Sequence, residues 1–178
     1  MATNHLLTGP PKSGKTTALR RTLDRLEDAG VTVGGFYSPE RRRDGQRVGF
    51  DLVEVATDER ATLAAVDRER GPTVGEYSVA VETVDEFAGR TLPDARATAD
   101  LVVIDEIAAM QLHSDVFLEE LELTLDSDRP VLASVQSASS ANFVDRITRR
   151  RDVRLYRVTP ETRDRLPKRL ATRFRNEL

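Results

Sequence analysis

The stretch Gly9-Pro10-Pro11-Lys12-Ser13-Gly14-Lys15-Thr16-Thr17 decides the fold. Its first eight residues match G-x-x-x-x-G-K-[ST] in full. They lie between an apolar run, Asn4 to Gly9, and an amphipathic run, Lys15 to Ala29. Strand, glycine-rich loop and helix in that order are the context in which this pattern cradles phosphate. The two glycines let the backbone wrap so that successive N–H groups point inward, and the helix start adds its own partial positive charge. In such a loop Lys15 reaches the β- and γ-phosphates and the Thr16 hydroxyl meets Mg2+. Every residue from Gly9 to Thr17 is therefore a candidate phosphate contact, with Pro10, Pro11, Lys12 and Ser13 in the variable part of the loop.

A cradle alone hydrolyses nothing; it needs a carboxylate for the metal and a group that activates the attacker. Leu101 to Glu106, LVVIDE, offers both at the end of a run apolar enough to be a strand buried on both faces. Ligands gather at the C-terminal edge of open α/β sheets, so Asp105 is the candidate Mg2+ residue and Glu106 the candidate base for a water. The next strand, RPVLASVQS from Arg129 to Ser137, carries Gln136 near its end, an uncharged group able to hydrogen-bond a γ-phosphate or a water.

Working outward, the pattern alternates short apolar runs with amphipathic ones and predicts a mainly parallel sheet with helices on both faces. Leu19, Leu23 and Leu26 share one face of a helix that Gly30 stops. VGGFYS and RVGFDLVEV read as strands joined by a polar turn around ERRRDGQ, where Asp44-Gly45 signals a hairpin. Asp58 to Arg70 reads as a charged helix or lid, and GPTVGEYSVAVET as a glycine-punctuated strand. Val84 to Ala99 reads as a helix broken at Pro93. A helix over Ser114 to Asp126 has Ser114 or Asp115 as its cap. Another follows from about Ser140 to Arg150, then the strand VRLYRV and a last helix opened by Thr159 to Thr162. With 178 residues and no linker or repeat, one domain over 1–178 is expected.

Composition narrows the chemistry. The chain has 30 acidic and 27 basic residues, so its charge of −3 supplies no global attraction to nucleic acid or anionic lipid. The absence of cysteine removes disulfides and thiolate chemistry, and the scattered pair His5 and His113 does not make a zinc site. No window approaches the roughly 20 apolar residues of a membrane span, and no basic leader precedes an apolar run, so a cytoplasmic location is expected.

The order of segments resembles the THEP-type nucleoside-triphosphatase family over nearly the whole chain. The resemblance is carried by TGPPKSGKTT, GGFYSPE followed by VGFDLV, VGEYSVAVE, LVVIDEI with Met110 and Leu112, and VTPETRDRLP. It implies a RecA-like three-layer P-loop fold and Mg2+-dependent hydrolysis of ATP, GTP and other nucleoside triphosphates to diphosphate and phosphate. It also singles out Arg163 as a candidate nucleotide contact. The chain departs from the family pattern at Ala108-Ala109, where Gly-Lys is usual, at Gln136-Ser137, where His-Arg is common, and at Thr162, where asparagine is preferred.

Two of those departures remove cations. Arg146, Arg149, Arg150 and Arg151, and the turn Arg41 to Arg43, are candidate replacements, since an arginine on the developing charge is worth on the order of 10³ to 10⁵ in rate. Two other functions use the same loop: a kinase for a nucleotide or small molecule, and a binding module of weak turnover. A nucleic-acid partner has only the RITRRRDVRLYR patch in its favour, and that patch lacks interleaved aromatics for stacking.

Overall fold

The computed structural model describes residues 4–136 and 142–178. Its strands join in one sheet of order β10 (Val153–Arg157), β1 (Asn4–Gly9), β9 (Val131–Gln136), β8 (Leu101–Ile107), β2 (Val33–Tyr37), β4 (Gln46–Glu54), β5 (Arg60–Ala65), β7 (Tyr77–Val79) and β6 (Thr73–Val74), with β3 (Glu40–Arg43) attached to β4. The parallel half consists of β10 (Val153–Arg157), β1 (Asn4–Gly9), β9 (Val131–Gln136), β8 (Leu101–Ile107) and β2 (Val33–Tyr37). Alternation along β1 sends Leu6 to one face and Leu7 to the other. On the Leu7 face, α1 (Lys15–Glu27) and α5 (Leu166–Glu177) bury Leu19, Leu23, Leu26, Leu170 and Phe174. On the Leu6 face, α2 (Val81–Thr98), α3 (Asp115–Leu125) and α4 (Asn142–Thr148) pack around Phe36, Phe87 and Phe117. These rings meet edge to face at 5.9 and 6.1 Å between centroids. Three layers, helix, sheet and helix, result.

The expected hairpin is present, within a larger antiparallel extension. β3 (Glu40–Arg43) and β4 (Gln46–Glu54) flank a turn in which both Asp44 and Gly45 have positive φ, the geometry that matches strand twist. The ERRR segment is thus a strand and only Asp44-Gly45 is turn, because its backbone groups pair with β4.

Asp58 to Arg70 is not a helix or lid. Its centre is β5 (Arg60–Ala65), whose Leu63, Ala64 and Ala65 are buried and whose backbone pairs with β4 on one side and β7 on the other. The alanines and charges raised the helical reading, and cross-strand pairing overrides that local preference. GPTVGEYSVAVET forms a small hairpin of β6 (Thr73–Val74) and β7 (Tyr77–Val79), and its last residues open α2.

Pro93 does not break α2, which runs through it. The helix forfeits one backbone hydrogen bond there, and the burial of Val84, Phe87, Ala88, Leu92 and Ala95 on its sheet-facing side offsets the loss. The C-terminal helix starts at Leu166 with Pro167 in its first turn. Thr159 to Thr162 instead form a turn, because the Thr162 hydroxyl takes the Thr159 N–H and donates to the Arg157 carbonyl. α3 begins as expected: Ser114 Oγ accepts the Phe117 N–H. The part of the predicted helix over Ser140 and Ala141 lies outside the described residues, as does Ser137.

Candidate functional site

β1 delivers the chain into the loop at Gly9, and α1 carries it away from Gly14. A Cβ on Gly9 would stand 2.6 Å from Ser13 Oγ and 2.9 Å from the Val158 carbonyl oxygen, so the loop closes only around glycine. Gly14 has φ 99°, a left-handed conformation that favours glycine. It stands at the N-cap of α1, where no side chain among the described residues caps the helix. The first-turn amides of Lys15, Thr16 and Thr17 are therefore donors available to an anion. Lys15 itself is buried, and its Nζ donates to the carbonyls of Gly9 at 2.9 Å and Pro10 at 3.3 Å.

The parallel half of the sheet brings the other predicted residues to this loop. Gln136 is the register partner of Gly9 across the β1–β9 pair and lines the same cleft. The end of β8 places Glu106 Oε2 3.8 Å from Lys15 Nζ. Asp105 is almost wholly buried; its Oδ1 accepts from Thr16 at 3.4 Å and from the Ser134 hydroxyl. Its Oδ2 has no hydrogen-bond partner among the described residues. A buried carboxylate oxygen without a partner, beside a threonine hydroxyl, is a hard-oxygen donor set that fits Mg2+.

Burial raises the Asp105 carboxyl above the usual carboxylate range, against the hydrogen bonds of Ser134 and Thr16 and the charges of Lys15 and Arg20. Burial raises Glu106 as well, with Lys15 opposing and the Asp105 charge adding to the rise. A cation arriving between these groups would reverse both tendencies.

The cleft encloses about 660 Å³. Pro11, Lys12, Gly14, Lys15, Thr16 and Thr17 form one wall, with Asp105, Glu106 and Gln136 at its floor. Ala108 and Ala109 also line it, where the family pattern has Gly-Lys, so the missing cation is missing from the cleft itself. Arg163 lies on the other flank of the loop, its Cδ 3.4 Å from the place of a Gly14 Cβ. It sits in the turn before α5, not in that helix as expected, and Asp164 pairs with Arg21 at 3.2 Å, not with Arg163.

Most of the candidate replacement arginines are engaged elsewhere. Arg41 pairs with Asp51, Arg42 with Glu40 and Arg43 with Asp67. Arg146 pairs with Glu122, and Arg150 is held by Asp126 and Asp152. Sequence reasoning missed Ser134, whose one signal was a hydroxyl inside an apolar strand. It also missed Arg20, whose guanidinium lies 4.2 Å from the Tyr37 ring centroid, one helical turn beyond Thr16.

A phosphate loop closing the first strand, an acidic pair closing a buried strand two places away, and helices on both faces define a P-loop protein of the α/β class. The chain belongs to the NTPase family, whose model matches residues 4–171. It is 43% identical over 96% of its length to nucleoside-triphosphatase THEP1 of Thermofilum pendens, covering 94% of that protein. It is 38% identical to THEP1 of Methanosarcina barkeri, over 95% of both chains. Among solved structures, THEP1 from Aquifex aeolicus superposes with a TM-score of 0.82 at 25% identity, covering 96% of this chain and 98% of that one. A human cancer-related nucleoside triphosphatase also gives 0.82, at 32% identity and 97% coverage of both.

Proposed function

We propose that the chain is a nucleoside-triphosphatase that hydrolyses ATP, GTP and other nucleoside triphosphates to diphosphate and phosphate, acting as one domain and with Mg2+. The observation that carries this reading is the meeting of Lys15 and Glu106 at 3.8 Å beside Asp105 Oδ2, which has no partner among the described residues. The triphosphate lies along Gly9 to Thr17, held by loop and helix amides. Lys15 exchanges the Gly9 and Pro10 carbonyls for β- and γ-phosphate oxygens. Thr16 and Asp105 would hold Mg2+, which would supply neutralisation of the charge developing on those oxygens. Glu106 accepts the proton of the attacking water, and Gln136 orients that water or a γ-phosphate oxygen by hydrogen bonding. Arg163 reaches the nucleotide from the flank of Gly14.

Base specificity is expected to be broad, since the residues gathered here address phosphate, which every triphosphate shares. Among the described residues no helix is long and apolar enough to cross a membrane. The test is phosphate release from ATP, GTP, CTP and UTP with Mg2+ or with chelator. Release that needs the metal and disappears in Lys15→Ala is expected; release unaffected by both would overturn the reading.

A further inference from the structure

The cleft does not end at the acidic pair. Beyond Glu106 it continues over the antiparallel extension, between Phe50, Leu63, Val74 and Met110. β4, which carries Phe50, is four places from β1 in the sheet order, about 19 Å at ~4.8 Å per strand. Lys15, which addresses the β- and γ-phosphates, meets Glu106 between the two halves. A γ-phosphate held by Lys15 would therefore face the far half, with Thr17 on the opposite side of the loop lysine. The far half opens on the end of the triphosphate that reacts.

Its lining is suited to an aromatic ring. Phe50 is held by the Tyr77 ring, edge to face at 5.3 Å, and by the Arg47 guanidinium 5.3 Å from its centroid. Arg47 is fixed in turn by Tyr77 Oη at 2.8 Å and Glu40 at 3.1 Å. This positions the aromatic side chain before any ligand arrives. Gln111, 3% exposed, donates through Nε2 to Ser38 Oγ at 3.3 Å, while its Oε1 has no partner among the described residues. A buried amide oxygen with no partner among the described residues is an acceptor for the edge of a heterocycle, and bases stack on aromatic rings.

We propose that this half is an acceptor subsite for a nucleoside, with its base against Phe50 and Gln111 and a sugar hydroxyl at Glu106, and that the chain transfers the γ-phosphoryl group to that hydroxyl as well as to water. The inference rests on the hydrolase reading of the P-loop half. In the transfer, the hydroxyl oxygen forms a bond to the γ-phosphorus as the bond to the β–γ bridging oxygen breaks. The departing electron pair leaves with the nucleoside diphosphate, and the hydroxyl proton passes to the Glu106 carboxylate. The products are a nucleoside monophosphate and a nucleoside diphosphate.

The experiment incubates the protein with γ-labelled ATP, Mg2+ and adenosine, guanosine, cytidine or uridine, and measures labelled phosphate and labelled nucleoside monophosphate together. A labelled ester with at least one nucleoside is expected. Its ratio to free phosphate should fall about tenfold in Phe50→Ala, the scale of one lost base–aromatic stack, and hold within about threefold in Phe50→Tyr. Lys15-dependent phosphate release with no ester from any of the four would overturn the subsite and leave the hydrolase standing. Ester formed at an unchanged ratio in Phe50→Ala would overturn its location. Neither product from the unaltered protein would overturn the hydrolase reading on which it rests.

Discussion

Replacing Glu106 by glutamine keeps the size of the side chain but removes its charge and its capacity to take a proton. If Glu106 serves the attacking water, kcat falls by the worth of a positioned base, on the order of 10² to 10⁴. That corresponds to about 2.7 to 5.4 kcal/mol of barrier at ~1.36 kcal/mol per decade. Nucleotide affinity should not fall with it. The carboxylate is 3.8 Å from Lys15, so its removal frees the lysine and takes a like charge away from the triphosphate. Nor should stability fall. Burial raises the folded-state Glu106 above its usual range, so its contribution is present below the unfolded value and lost as pH rises through the folded one. Above the folded value the ionised group is a cost to folding, and there the glutamine variant should melt at the same temperature or higher. The assay is steady-state phosphate release with a parallel nucleotide-binding isotherm and thermal melt. A kcat within about threefold of the unaltered protein would refute the base assignment, and a large fall in affinity would show that Glu106 acts in binding.

Asp105→Asn should abolish Mg2+ dependence of nucleotide binding while leaving or raising the melting temperature, since burial also raises the aspartate and Ser134 and Thr16 can still bond the amide; a metal titration against bound nucleotide checks it. Gly9→Ala forces a Cβ to within 2.9 Å of a backbone carbonyl oxygen and should cost about 1–3 kcal/mol, read by denaturant unfolding, with nucleotide affinity lost in step. His5 is wholly buried between Tyr156 Oη and Glu177, each at 2.9 Å, and burial lowers it below its ordinary 6.5 although Glu177 pulls the other way. Its contribution to stability is full above about pH 6.5 and lost as pH falls below that value, so the melting temperature should drop on mild acidification and drop less in His5→Gln. Phe117→Ala should cost about 3–5 kcal/mol, because it removes a wholly buried ring packed edge to face on Phe36.

The P-loop, the acidic strand end and the parallel half of the sheet were legible in the residues because each rests on a local rule. A loop that wraps phosphate needs glycine at fixed positions. A strand buried on both faces must be continuously apolar, and a strand end in an α/β sheet is where ligands collect. Ser114 capped its helix for an equally local reason.

The misreadings fall where local preference and tertiary pairing disagree. Arg60 to Ala65 carries residues that suit a helix, and it is a strand because β4 and β7 offer it hydrogen bonds on both edges. Pro93 should end a helix, and the apolar face packed on the sheet carries α2 through it. Arg163 was placed at a helix start, and the Thr162 hydroxyl diverts that backbone into a turn.

The sequence by itself determined the glycine-framed loop from Gly9 to Thr17 and the place of Asp105 and Glu106 near the end of a buried strand, because backbone sterics and strand burial act within a few residues. Only the tertiary structure decided that Ser134 bonds Asp105 and that, among the described residues, one oxygen of Asp105 has no partner. It alone set Glu106 against Lys15 and joined Phe50, Arg47, Tyr77 and Gln111 to the far side of the same cleft. Most of those contacts link residues far apart in the chain and on different elements, and they are created by sheet order and register, which no local stretch of the chain encodes.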